Sequence, residues 1–149
     1  MSRAGKKERR ERNPEMDCWL VKSDPDTYTW DDLVRLGRDH WDGVRNYAAR
    51  NHLREMKVGD EVLFYHSGEE RVIIGTAKVV RESFPDPTTA DDRWVAVDLE
   101  PISKFTRPVS LQQIKSEKGL QEMSLLRISR LSVHKVARPH FDQIVELGG

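Results

Sequence analysis

Two apolar runs stand four residues apart near the middle of the chain, Glu61-Val-Leu-Phe-Tyr-His66 and Arg71-Val-Ile-Ile-Gly-Thr-Ala-Lys-Val-Val80. The Ser67-Gly-Glu-Glu70 link between them has hairpin length. A chain carrying that pair has to build a sheet and cover it. Gly75 inside the second run predicts a bulge or a close backbone approach, because a strand interior otherwise only loses packing at glycine. Three further strands are expected. Cys18 to Lys22 is apolar and stopped by the turn residues Ser23-Asp-Pro-Asp26; in Trp94 to Leu99, Trp94, Ala96 and Asp98 alternate with Val95, Val97 and Leu99; and Leu131 to Val136 reads as a last strand.

The helices should be short. Thr29 and Asp32 resemble a capping box ahead of Trp30, Leu33 and Leu36, with Gly37 as the stop. A second helix is expected from near Asn46, with Ala49, Leu53 and Met56 on one side and Arg50, Asn51 and Arg54 on the other, ending before Val58-Gly59-Asp60. Ser110 with Gln113 opens a third through Glu117, and Pro139 and Gly148 bracket a last one carrying Phe141, Ile144 and Val145. The 83–92 segment, rich in proline and aspartate, reads as an exposed loop, Asp98 and Glu100 as solvent-facing, and Trp41 as part of a turn. No long βαβ spacing is visible. The expected class is therefore α+β: a small curved sheet or pseudo-barrel flanked by short helices, a single domain over 16–149.

Lys+Arg and Asp+Glu number 25 each in the 149 residues, so the net charge is zero, but the signs are segregated along the chain. Residues 1–15 carry six basic side chains against three acidic ones and no aromatic, the composition of a disordered tail. Residues 35–57 are basic by the same margin, and 101–141 hold eight Lys/Arg against Glu117 and Glu122, while 16–34 and 82–100 are acidic. If folding gathers the basic segments, a neutral chain can still present a positive face to a polyanion. The other reading is solvated surface with no ligand. No apolar run approaches the roughly 20 residues a membrane-spanning helix needs, and the charged N-terminus is unlike a signal peptide. A soluble, cytoplasmic protein is expected, nuclear if the source is eukaryotic, with no membrane partner. Cys18 is the one cysteine, so no intrachain disulfide and no Cys-based zinc cage can form.

Catalytic patterns are missing from the sequence. There is no Gly-x-Ser-x-Gly elbow and no phosphate-binding glycine loop. His134 and His140 have a poor metal spacing, and His52 has no partner four residues away on its helix. His66, in Phe64-Tyr-His-Ser67, is either a site residue or a hydrogen-bonded structural histidine. The expectation is a non-enzyme with no cofactor and no metal.

One linked set does suggest binding: Trp19-Leu-Val-Lys22-Ser23-Asp-Pro25, then Trp41-Asp-Gly-Val-Arg-Asn46-Tyr-Ala-Ala-Arg50-Asn51, then Phe64-Tyr-His-Ser67. A nucleobase stacks on an aromatic face, its edge needs amide or hydroxyl partners, and its flanking phosphates need Arg or Lys. Trp41 with Asp42, Gly43 and Asn46 offers that chemistry within six residues. The structural alternative is that Trp41 is core and Asn46 merely caps its helix.

At these residues the chain resembles the EVE domain family, a branch of the PUA-like superfold that includes the thymocyte nuclear protein group and is related to the YTH domains that read methylated adenine in RNA. The resemblance also takes in Val58-Gly-Asp-x-Val-Leu-Phe-Tyr-His-Ser67, Arg107-Pro-Val-Ser-Leu111 and Arg130-Leu-Ser-Val133, and spans about 17–146. It implies a concave pocket for a flipped, modified base, with Trp41 as one wall, Lys22 and Ser23 at the mouth, Asp42 and Asn46 at the base edge, and Tyr65, His66 and Ser67 opposite. Arg45, Arg50, Asn51 and Arg130 would hold the backbone. The implied partner is nucleic acid bearing a modified base, DNA ahead of RNA, with modified cytosine as the first choice. Alternatives are a reader of modified RNA or tRNA, or a binder of a free nucleotide-like small molecule. Because such a reader brings no chemistry of its own, association with a nuclease or modification enzyme is expected.

Overall fold

The computed structural model describes residues 16–149, so the tail expected at 1–15 lies outside the described residues. In chain order these form β1 (Cys18–Ser23), α1 (Trp30–Leu36), β2 (Asp39–Trp41), α2 (Tyr47–Glu55), β3 (Glu61–His66), β4 (Val72–Pro85), β5 (Val95–Ser110), α3 (Leu111–Ser116), a 3-10 turn (Lys118–Leu120), α4 (Ser124–Arg127), β6 (Val133–Val136) and α5 (Arg138–Gly148). The strands make one sheet in the order β2-β5-β4-β3-β1-β6. β1 is apolar at consecutive positions because both its faces are covered: Trp19 and Val21 enter one core, Cys18 and Leu20 another. The first core is closed by α1 and α2 through Trp30, Leu33, Ala49 and Leu53. The second is closed by α3, α4 and α5 through Ile114, Leu125, Phe141 and Ile144. Each fully buried large side chain among these contributes about 1.5–3 kcal/mol.

Local signals put the elements in place. Asp32 N–H donates to Thr29 Oγ1 at 3.1 Å and Thr29 N–H to Asp32 Oδ2 at 2.9 Å, the reciprocal capping box, and α1 stops at Gly37. Gly75 sits where the β4–β5 register shifts, and a Cβ there would lie 2.3 Å from the Ser103 carbonyl oxygen. No other residue fits that approach. Buried Asp60 accepts from Trp19 Nε1 at 2.9 Å and from Lys57 N at 3.0 Å, which ties the turn after α2 to β1.

Several expectations are corrected. β1 and β3 pair in parallel, so the segment between them, carrying α1, β2 and α2, is a crossover despite the absence of regular βαβ spacing. β4 runs to Pro85, and Asp86 just beyond it is 2% exposed, so 83–92 is not simply a surface loop. Val95 to Leu99 is buried at every position, and Asp98, expected in solvent, is 3% exposed. It is held there by Arg38 Nη2 at 3.0 Å and His40 Nδ1 at 2.5 Å. Burial alone would raise the Asp98 carboxyl, but these two partners outweigh it and hold it below its ordinary value. Trp41 ends a strand instead of sitting in a turn, and Gly148 lies inside α5 against Phe105.

Candidate functional site

A cavity of about 500 Å³ opens where the end of β1, the 24–28 turn, β2 and the 42–45 loop meet. Each wall has a local cause. Thr27 N–H and Tyr28 N–H both donate to the Asp24 carbonyl at 2.9 Å, and Ser23 Oγ donates to the Tyr28 carbonyl at 2.6 Å, so the turn delivers the Tyr28 ring to the cavity. Its hydroxyl donates to Asp39 Oδ2 at 2.8 Å. Burial, reinforced by that bond, holds the Tyr28 phenol well above its usual range. Trp41 stands almost perpendicular to Tyr28, with ring centres 5.9 Å apart at 82°, and is braced behind by Phe64 at 5.4 Å. The result is two aromatic planes meeting at a corner.

The 42–45 loop is fixed from a distant part of the chain. Gly43 adopts a left-handed φ of 78°, and its N–H donates to Asp86 Oδ2 at 2.8 Å. Arg45 Nη1 donates to the same oxygen at 2.9 Å, and Thr88 Oγ1 and N–H donate to Asp86 Oδ1 at 2.6 and 2.7 Å. Burial alone would raise the Asp86 carboxyl, but the bonds from Thr88, Arg45 and Gly43 hold it far below its ordinary value. Asp42 beside it goes the other way. Burial raises its carboxyl, and the neighbouring Asp86 and Asp39 charges add to the rise.

Lys22, Ser23, Trp41 and Asp42, drawn from two separate motifs, come together at the cavity, and Arg45, expected to hold the backbone, lines it with them. Lys22 Nζ donates to the Ser129 carbonyl at 2.7 Å, and burial lowers its pKa. The remaining expected residues are placed differently. Asn46 accepts from Ala49 N–H at 3.0 Å as the cap of α2. Tyr65 is 3% exposed and belongs to the second core, because alternate β3 side chains point to opposite faces. His66 accepts from Trp30 N–H on Nε2 at 3.0 Å, and its Nδ1–H donates to Glu70 at 2.8 Å, so it anchors the start of α1. Ser67 N–H and Oγ donate to the Ser23 carbonyl at 2.9 and 3.2 Å. The wall expected from Tyr65, His66 and Ser67 is replaced by Thr27, Tyr28, Asp39, His40 and Ser132. Asn51 accepts from Arg50, and Arg130 is exposed, two residues from the cavity-lining Ser132. The second basic segment is divided: α3, α4 and α5 cover the second core, away from α2, whereas Lys135 of β6 lies over the Trp19 ring on the side that α2 covers. Tyr28 and Asp39 escaped sequence reading because their only local signal is proximity to a turn and a cap.

Comparison with known proteins identifies the family and the fold. The EVE domain family model matches residues 17–147. Thymocyte nuclear protein 1 of Homo sapiens is 32% identical over 163 residues, which cover 87% of this chain and 72% of that protein; the Danio rerio protein is 33% identical, covering 90% and 73%. Among solved structures, Rpa0253 from Rhodopseudomonas palustris has a TM-score of 0.85 at 39% identity, covering 90% of this chain and 94% of that one. Human THYN1 protein, crystallised in complex with 5-methylcytosine containing DNA, has a TM-score of 0.82 at 32% identity, covering 89% and 97%.

Proposed function

Because the chain belongs to the EVE domain family, we propose that it is a non-catalytic reader of nucleic acid that takes a modified base, a modified cytosine of DNA, out of its stack and into the Trp41 cavity. The corner made by Tyr28 and Trp41 carries this reading. Two rings at 82° contact a flat guest on its face and along one edge at once, so an added methyl group lands on apolar surface. Burying that carbon favours the modified base by about 0.8 kcal/mol, roughly fourfold. The binding of 5-methylcytosine containing DNA by a protein with the same fold at 32% identity supports the same guest here.

The polar groups suit a cytosine edge. The Asp42 carboxylate can accept from the exocyclic amine. Lys22 has one donor committed to Ser129 and two left for a carbonyl or phosphate oxygen at the mouth. Ser23, Asp39 and Asp86 hold the walls instead of the guest. Since extrusion costs a few kcal/mol, and costs least where pairing is already weak, part of the selectivity comes from how readily the modified base leaves the stack. A nuclease or base-modifying enzyme acting at the same sites would supply the chemistry.

Fluorescence anisotropy with 5-methylcytosine and plain strands, DNA and RNA, at one salt concentration tests the reading. Wild type should favour the modified DNA strand several-fold, and Trp41→Ala and Tyr28→Leu should each bring the ratio close to one. Two variants are used because Trp41 also packs on Phe64 and its loss weakens the fold, whereas Tyr28 is only partly buried. Unchanged ratios in folded samples of both would sink the assignment. Salt-independent binding of the free nucleoside would indicate a small-molecule site.

A further inference from the structure

The first turn of α2 carries a surface that core packing does not explain. Tyr47 is 50% exposed yet held in place: its ring centre is 5.1 Å from that of Trp94 at 31°, and its hydroxyl accepts from Arg93 Nη1 at 2.9 Å. The Arg50 guanidinium lies 4.9 Å from the centre of the Tyr47 ring. All three Arg50 nitrogens are already donating to protein oxygens, Nε and Nη2 to Asn51 Oδ1 at 3.2 and 2.8 Å and Nη1 to the Arg93 carbonyl at 3.3 Å. Among the described residues no carboxylate pairs with Arg50. Arg45 joins this surface to the cavity, because it lines the cavity and its guanidinium is 5.7 Å from the Trp94 ring.

From this arrangement we infer that Tyr47 and Arg50 form a composite stacking platform for the nucleobase next to the one held in the cavity. The inference rests on the cavity being a base site. An arginine reaching for phosphate needs its edge free for a fork of hydrogen bonds. Arg50 has spent much of that edge on Asn51 and Arg93, and what remains on offer is the outer face of a guanidinium that lies over the half-exposed Tyr47 ring. Bases stack on aromatic rings and guanidinium planes without regard to sequence. The ligand is therefore a strand of at least two nucleotides, unstacked at the modified position. Asn51 is a positioning residue that keeps Arg50 flat. This departs from the sequence expectation that Arg50 and Asn51 grip the backbone.

The experiment uses single strands carrying one modified cytosine, with each neighbouring position either intact or abasic. Wild type should lose about tenfold in affinity when the platform's base is removed. Tyr47→Ala and Arg50→Lys should each lose a similar factor on the intact strand and little more on the abasic one, while Tyr47→Phe stays near wild type. The preference for modified over plain cytosine should be unchanged in all of them. Arg50→Lys binding like wild type while Arg50→Ala is weak would mean a charge contact to phosphate and would overturn the platform. So would an abasic penalty on both sides that is as large in Tyr47→Ala as in wild type. Failure of the cavity reading looks different: wild type would show no preference for the modified base, whatever the neighbour does.

Discussion

Two cavities lie against the two cores of one sheet, and they are built on opposite principles. The larger, bordered by Trp41 and Val44 of the first core, has polar groups fixed by bonds to other parts of the chain: Asp39 by Tyr28, Asp86 by Gly43 and Arg45, Lys22 by Ser129. The smaller, about 180 Å³ between Leu20, Met123, Leu125 and Val136 of the second core, encloses His134 at 1% exposure. There Ser124 Oγ lies 2.6 Å from Nδ1, but Nε2 finds no partner of normal geometry. A cavity with satisfied walls is preorganised for a guest. One whose imidazole is satisfied at Nδ1 alone is a stability liability that protonation exposes.

The largest effect on this contrast should come from pH. Burial, with the Lys22 charge adding to it, pushes the His134 imidazole down to about 4. Between pH 6.5 and 4 the unfolded chain holds a proton at this position that the folded chain refuses, so stability falls as pH falls through that window. The loss should be on the order of 3 kcal/mol when complete. Urea melts of wild type and His134→Leu across that range check it, and equal slopes in both would remove His134 as the cause. Next in size is Asp86→Asn, which weakens the bonds to Gly43 and Arg45 and should cost about 1–3 kcal/mol. Oligonucleotide affinity should fall with it, because the 42–45 loop loses its anchor; full affinity in a destabilised variant would show that the loop is held by other contacts. The smallest effect is Asn46→Ala, about 1 kcal/mol from loss of the α2 cap. Asn46→Ser should restore it, and an altered modified-to-plain ratio in Asn46→Ser would show that the side chain meets the base after all.

Which parts of this were legible follows from the range of the interactions involved. The capping box at Thr29 and the N-caps at Ser110 and Asn46 act over three residues and are legible as such. Gly75 was readable because glycine inside a β-run has few explanations. Alternation along β5 marks Asp98 as water-facing, but Arg38 and His40, about 60 residues away, fold over it. Three of the eight expected pocket residues, Tyr65, His66 and Ser67, rest on adjacency within Phe64-Tyr-His-Ser67, and adjacency on a strand sends neighbours to opposite faces.

The sequence by itself determined the family, five of the six strands, four of the five α-helices and the four residues Lys22, Ser23, Trp41 and Asp42 at the cavity, since motifs and caps are local. Tertiary structure alone decided that Tyr28 and not Tyr65 would stand beside Trp41, and that Asp86 would lock Gly43 and Arg45 from 43 and 41 residues away. The physical reason is that a side chain's face and partner are set by strand register and crossover, and neither is encoded within the few residues around it.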